Sequence, residues 1–480
     1  MKKKLITIFF LAAAVIGGCK EEFALPEITA PELTTVEITR SVDLTFDYIT
    51  EAGYKSSVLS AAGGSAVIKT DGSAGSLSGS IIVTFTAGSD AGAGSVTLTL
   101  TDNEGMAEEA VAVINISNVP TISVTENISS NTTWQTGKIY ILEGRITVLS
   151  GVTLTIQPGV VVKGRAGSES NATALMIARG GKLNAEGTSS SPIIFTSVSD
   201  QILPGNTESP NLEPTLNGLW GGLIILGKAP ISAEAEAMQI EGIPTSDLNG
   251  LYGGTDPADN SGTIKYVSIR HGGANIGEGN EINGLTLGGV GTGTVIENIE
   301  VVSNQDDGIE WFGGTVNVKN VIIWNTGDDA IDTDQSWAGT LDNFIVINPG
   351  DECLELDGPE GTLAAKHTIK NGTVYAGSAQ GIADLDDANT ASDSFVDMNN
   401  IYFFGLMTGQ DFDAVPTYYN CTFSNFQATI PSGTTLQTFF KDGSDAYTTS
   451  VNAGARTVGA NVTNFSGWSW TSVSGSLQGF

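Results

Sequence analysis

Apolar and polar residues alternate from Val36 through Ile38, Val42, Leu44, Phe46 and Tyr48, with the two-residue period of strands that bury one face. Farther on, Val96, Leu98 and Leu100 face Val111 and Val113 across Asp102-Asn103-Glu104-Gly105, a sequence suited to a hairpin turn. Short alternating runs joined by such turns predict an Ig-like β-sandwich over residues 35–118, with Pro120 marking its end. Its expected role is that of a spacer.

The hairpin pattern then gives way to short apolar runs separated by Gly and Asn. Five of them, Ile296 to Val301, Val318 to Ile323, Leu341 to Val346, Ile369 to Val374 and Met398 to Phe403, each place an Asn third. Asn298, Asn320, Asn343, Asn371 and Asn400 follow one another at intervals of 22, 23, 28 and 29 residues. That is about one coil of a three-sided solenoid, whose corners tolerate loops of variable length. The Asn side chains are predicted to stack and to bond one another from coil to coil, at the ~4.8 Å strand spacing. Ile309, Ile331, Leu354 and Ile382 form a second column, predicted to point inward. The chain is therefore expected to be all-β, with a right-handed parallel β-helix of the pectin-lyase-like kind over residues 121–430. Residues 431–480, where the repeat fades, are expected to cap its open end.

The N-terminus has a different pattern. Lys2 to Lys4, the apolar run Leu5 to Ile16 and Gly17-Gly18-Cys19 predict a lipoprotein signal peptide over residues 1–18, acylation of Cys19 and a polar tether over 19–34. Each buried acyl methylene contributes about 0.8 kcal/mol, so several chains hold a protein on a membrane stably. Lys20-Glu21-Glu22 resembles the signal that sends Bacteroidota lipoproteins to the outer face of the outer membrane. The expected location is the cell outer membrane, lipid-anchored through Cys19 and facing the exterior. No later segment approaches the ~18 unbroken apolar residues of a membrane-spanning helix, so neither a channel nor a transporter is expected.

With 53 acidic against 21 basic residues the formal charge is -32. Nucleic acid and anionic lipid, which need clustered Lys and Arg, are disfavoured as partners, and cations are favoured. Cys353 and Cys421 are too few for a disulfide framework.

The acids concentrate on three successive coils. Aligned by the repeat, Asp306, Asp328 and Asp351 form one column, Asp307, Asp329 and Glu352 a second, and Glu310, Asp332 and Glu355 a third. Two carboxylates one rung apart repel by roughly 1 kcal/mol in water and by more near a low-dielectric surface. Between Val301 and Asn400, Lys319, Lys366 and Lys370 are the only basic residues beside 18 acidic ones. Calcium, a hard cation that takes oxygen ligands, is the simplest counter-charge. A solvated acidic face and a set of catalytic carboxylates stay open as alternatives.

Catalysis would make the protein a polysaccharide lyase or glycoside hydrolase acting on acidic polysaccharide, since paired carboxylates serve both retaining and inverting hydrolysis. The ladder motifs contain no Arg or Lys to serve as a lyase base. Arg270 and His271, about one coil earlier, are the nearest basic pair and candidate ligand contacts, although a structural strand pair accounts for them too. Trp311 and Trp337, near the ladder, are candidates for stacking on sugar rings, with core packing as the alternative.

Asn283-Gly284-Leu285-Thr286-Leu287-Gly288-Gly289-Val290-Gly291 and Asp306-Asp307-Gly308-Ile309-Glu310-Trp311-Phe312-Gly313-Gly314 resemble the shared core of the β-helix outer-membrane lipoproteins of Bacteroidota. So do Trp220-Gly221-Gly222-Leu223 and Tyr252-Gly253-Gly254-Thr255-Asp256. The resemblance runs from about Asn131 to Asp357. It implies a β-helix at the outer membrane and no mechanism; the label "multidrug transporter" given to some members conflicts with the lack of membrane spans. The reading that results is a non-enzymatic surface lipoprotein that binds calcium and meets a glycan or another outer-membrane protein.

Overall fold

The computed structural model describes residues 23–168, 171–275, 282–385, 394–413, 421–441 and 443–480. Cys19, the leader and the first residues of the tether lie outside them. The described chain forms two compact units that meet in sequence at Asn118 and Val119.

The first unit is a sandwich of two four-stranded sheets. Phe46, Phe85, Val96 and Leu98 fill its core, one face of each strand turned inward. It starts earlier than the alternation predicts, because Glu27–Thr29, inside the expected tether, pairs antiparallel with Asp47 to Ile49. The hairpin is also one residue out of the expected register. Val96 and Leu98 pair with Ala112 and Ala110, which leaves Val111 and Val113 half exposed. A slip of one residue exchanges the two faces of a strand.

The second unit is a right-handed parallel β-helix. Its longest sheet begins at Thr121–Val124, runs through Gly262–Arg270, Val295–Val302, Val318–Trp324, Thr340–Ile347 and His367–Tyr375, and ends at Thr448–Ser450. A shorter sheet stacks Leu285–Gly288, Ile309–Phe312, Ile331–Asp334, Glu355–Leu356 and Asp384–Leu385 in parallel. One apolar core fills the coil interior, including the predicted inward column of Ile309, Ile331, Leu354 and Ile382.

The repeated Asn marks a bend within each long strand. Asn298, Asn320, Asn343, Asn371 and Asn400 all have φ between 57° and 65°, a left-handed conformation that Asn tolerates better than most residues. Asn320 donates to Asn298 at 2.9 Å, Asn343 to Asn320 at 2.8 Å and Asn400 to Asn371 at 2.6 Å, as stacking predicts. The stack is interrupted once. Asn371 donates instead to Asp342, and the carboxamide oxygen of Asn343 accepts the N–H of Asn461.

Within the last fifty residues, Phe439 and Phe440 join the core at the end of the stack. Residues 460–480 turn back along its flank, where Phe465, Trp468 and Trp470 cover the outward side chains Val302, Ile322, Trp324 and Ile345. Cys353 is a thiol in the core and Cys421 a half-buried one. Among the described residues no helix is long and apolar enough to cross a membrane.

Candidate metal centre

The short-strand sheet carries the ladder. On Ile309–Phe312, Ile309 and Trp311 enter the core, so Glu310 and Phe312 face outward. Asp332 and Glu355 lie in register with Glu310 on the next two rungs, and Asp384 continues the column. An insertion shields this face from water: Ile231, Ile240, Ile243 and Tyr252 pack with Ile224, Leu226 and Phe312. Glu310 and Asp332 are consequently buried, at 6% and 7% exposure.

Asp307 and Asp329, both buried, form the second column. Asp307 Oδ1 accepts the N–H of Asp329 at 3.0 Å, and Asp329 Oδ1 accepts that of Glu352 at 2.6 Å. Each carboxylate thereby satisfies backbone one coil further on. Asp306, Asp328 and Asp351 make the rim, Asp328 exposed and the other two half-buried.

One oxygen each from Asp307, Glu310 and Asp332 lie within 4.8 Å of one another, and a second such trio joins Asp306, Asp307 and Asp328. That spacing suits calcium, which sits about 2.3–2.6 Å from its oxygens. Asn283, one rung before, donates from Nδ2 to Glu310 and, at 3.4 Å, to Glu241 in the insertion. Two buried oxygens here, Asn283 Oδ1 and Asp332 Oδ1, have no hydrogen-bond partner among the described residues. A buried polar atom left unpaired costs about 1–3 kcal/mol, a cost that coordination to a cation removes.

Burial first, and neighbouring carboxylates second, push Asp307, Glu310 and Asp332 well above the ordinary carboxyl range. Burial and a hydrogen bond to Glu355 carry Asp329 up to about 11. Burial raises Asp334 to about 7, and burial with Asp351 and Asp384 raises Glu352 to about 8. The charges acting most strongly on Glu310 and Asp332 are all carboxylates. Burial without a counter-charge thus favours the protonated form of these acids, and a bound cation would favour the ionised one.

All nine acids read from the sequence thus come to one strip, but the other candidates do not join it. Trp311 and Trp337 are fully buried and stack on each other inside the coil, ring centroids 4.7 Å apart. They pack the core and offer no face to a sugar. Arg270 is fully buried too: Nε donates to Ser268 and Nη2 to Thr207, each at 2.7 Å, and the guanidinium lies 3.7 Å from Glu300. It also sits over the ring of Trp470, while His271 Nδ1 lies 2.5 Å from the carbonyl oxygen of Leu216. Both residues pin loops and the C-terminal segment to the coils. Glu241 and Asn283 were missed. Asn283-Gly284-Leu285-Thr286 occupies the same repeat positions as Asp307-Gly308-Ile309-Glu310, a signal the search for acids alone passes over.

The family described as a pectate-lyase like beta helix domain matches residues 126–471. No curated protein matches the chain. Among solved structures, the SrpA adhesin of Streptococcus sanguinis is 16% identical, covering 23% of this chain and 70% of its own, at a TM-score of 0.18. A family 28 exopolygalacturonase of Yersinia enterocolitica is 11% identical over 89% of this chain and 90% of its own, at 0.23. A GH87 α-1,3-glucanase of Streptomyces thermodiastaticus is 10% identical over 86% and 89%, at 0.28. Scores this low carry no argument, and the fold rests on the family match and on the strand topology.

Proposed function

The chain belongs to the pectate-lyase-like β-helix family, and from that premise we propose that it is a calcium-binding surface lipoprotein of the Bacteroidota outer membrane. In this reading Cys19 carries the acyl anchor, and the β-helix presents a face to a glycan or to another outer-membrane protein. The observation that carries the calcium assignment is the buried trio of Asp307, Glu310 and Asp332, whose oxygens lie within 4.8 Å of one another and whose strongest neighbouring charges repel them. Burying several carboxylates without a counter-charge is costly, and calcium supplies one in the coordination chemistry they offer.

The test is thermal. Calcium that binds the folded ladder and not the unfolded chain raises the melting temperature of chelator-treated protein at millimolar concentration. Magnesium, which dehydrates reluctantly and demands octahedral geometry, raises it less. No shift, with no bound metal by elemental analysis, would reject the assignment.

A polysaccharide lyase or hydrolase is the second reading. It is favoured by Asp334 and Glu352, raised to about 7 and about 8, since a general acid works best with a pKa near the ambient pH. Against it, the insertion covers Glu310 and Asp332, and two clefts of about 450 and 410 Å³ are lined by residues outside the ladder. The expected result is no unsaturated uronate and no reducing sugar from pectin or alginate. Turnover in either assay would favour the enzyme.

A further inference from the structure

The insertion brings a carboxylate of its own to the cluster. Ile240 and Ile243 dock it through apolar contacts, and Glu241, between them, then lies within 3.4 Å of Asn283 Nδ2. The same Nδ2 donates to Glu310, so one amide group joins Glu241 to the buried cluster. Apolar packing accounts for Ile240 and Ile243, and the Asn283 amide bridges Glu241 to Glu310, but that neutral donor leaves two carboxylates side by side, which is unfavourable when both are ionised.

Asn283 supplies the second observation. It is 1% exposed, its Nδ2 bridges Glu310 and Glu241, and its Oδ1 has no hydrogen-bond partner among the described residues. A neutral carbonyl oxygen is a common calcium ligand beside carboxylates.

Building on the calcium reading above, we propose that one divalent cation bound by Asp307, Glu310, Asp332 and the Asn283 carboxamide oxygen also engages Glu241, and so clamps the insertion of residues 231–252 onto the β-helix. The ion turns the Glu241 repulsion into an attachment. The insertion is the cover of the outer ladder face, so the clamp sets whether that face is shut or open to a partner. The cation is a component of the cover and not only ballast for the acids.

The experiment uses the whole mature protein and three readouts: calorimetric calcium binding, the melting temperature, and cleavage by a glutamate-specific protease at the exposed Glu234 and Glu236. In the native protein, calcium slows cleavage at those sites at least tenfold relative to chelator, and equimolar magnesium does not. Glu241→Gln, a change at an exposed side chain, leaves calcium binding detectable but weaker by about tenfold and abolishes the protection. Asp332→Asn, which alters a ligand inside the sheet, loses both. Calcium that binds and raises the melting temperature while cleavage stays unchanged would overturn the clamp and leave the calcium reading standing. Protection undiminished in Glu241→Gln would overturn it as well. Absence of calcium binding in the native protein would overturn both.

Discussion

The carboxylate of Asp307 accepts the backbone N–H of Asp329, 22 residues later and one coil away, at 3.0 Å. Asp307 therefore does two jobs: it closes the backbone of the next coil, and it belongs to both trios of acids that could hold an ion. Substitution separates them. Asp307→Ala leaves the Asp329 N–H buried without an acceptor, a loss of about 1–3 kcal/mol with or without calcium. Asp307→Asn keeps an oxygen for that N–H and removes a charge that burial penalises. In chelator it is expected to match the native protein in urea, and in calcium to fall below it.

Asn320 is held from three sides. It donates to Asn298, and its oxygen accepts from Asn343 at 2.8 Å and from Asn464 at 3.0 Å, while its φ is 57°. Asn320→Ala loses these bonds and strains the left-handed backbone, for an expected destabilisation of about 2–4 kcal/mol. Asn320→Gly loses the bonds but relieves the strain, so it should recover about 1 kcal/mol. Equal losses in denaturant melts of the two variants would show that the backbone conformation contributes little.

The asparagine bends were legible because the left-handed kink recurs once per coil and few residues accept it. The acidic columns were legible for the same reason: parallel in-register stacking brings equivalent repeat positions together. What surrounds each column was not. Trp311 lies two residues after the inward Ile309 and shares its face, so strand parity alone places it in the core. Glu310 has outward parity, and the sequence left open whether its face meets a cation or water; in the fold it is buried, on the face that Ile240, Ile243 and Tyr252, more than 50 residues earlier, cover. In the hairpin, Ala110 and Ala112 alternate with Val111 and Val113, and hydropathy weakly separates the two faces. The pairing with Leu98 decides, and it selects the alanines. Arg270 and His271 face loops and a C-terminal segment that no local pattern could bring to them.

The Arg270 and Glu300 pair is fully buried, and Glu300 also accepts the N–H groups of Trp470 and Thr471 at 3.1 and 2.8 Å. Removing one partner of a buried pair costs about 3–5 kcal/mol, because the other charge is left uncompensated. Arg270→Met is expected to fall in this range. It should also loosen residues 460–480, seen as a red shift of tryptophan emission and early proteolysis in that segment. A stable variant with unshifted emission would mean that the apolar contacts of Trp468 and Trp470 suffice.

The membrane assignment has its own test. Cys19→Ala should abolish labelling by a radioactive fatty acid and move the protein from the membrane fraction to the soluble one. Unchanged membrane retention would mean that the lipobox reading is wrong.

Calcium and protons compete for the same oxygens, and the pKa shifts give the sign. Asp334 and Glu352, raised to about 7 and about 8, keep their protons in the folded protein at pH values where the unfolded chain has lost them. The folded state then binds more protons, so stability in chelator falls as pH rises from about 4 through 7 to 8. Asp307, Glu310, Asp329 and Asp332 are raised as well and act in the same direction. His367 acts in the opposite direction. Fully buried beside Trp337, it is lowered to about 3, so its contribution is complete above the unfolded value of about 6.5 and is lost as pH falls toward 3. Burial lowers His271 as well, in the same direction as His367. The raised carboxyls outnumber these two histidines, so chelated protein should melt at a higher temperature at pH 6 than at pH 8, and the gain should reverse in stronger acid. Calcium replaces the protons only where the ladder can ionise. Its stabilisation is therefore expected to be largest at pH 8 and to shrink steadily toward pH 5, as read from melting curves in matched buffers with and without the ion. A calcium effect of the same size at both ends would place the ion at ordinary exposed acids, away from the buried trio.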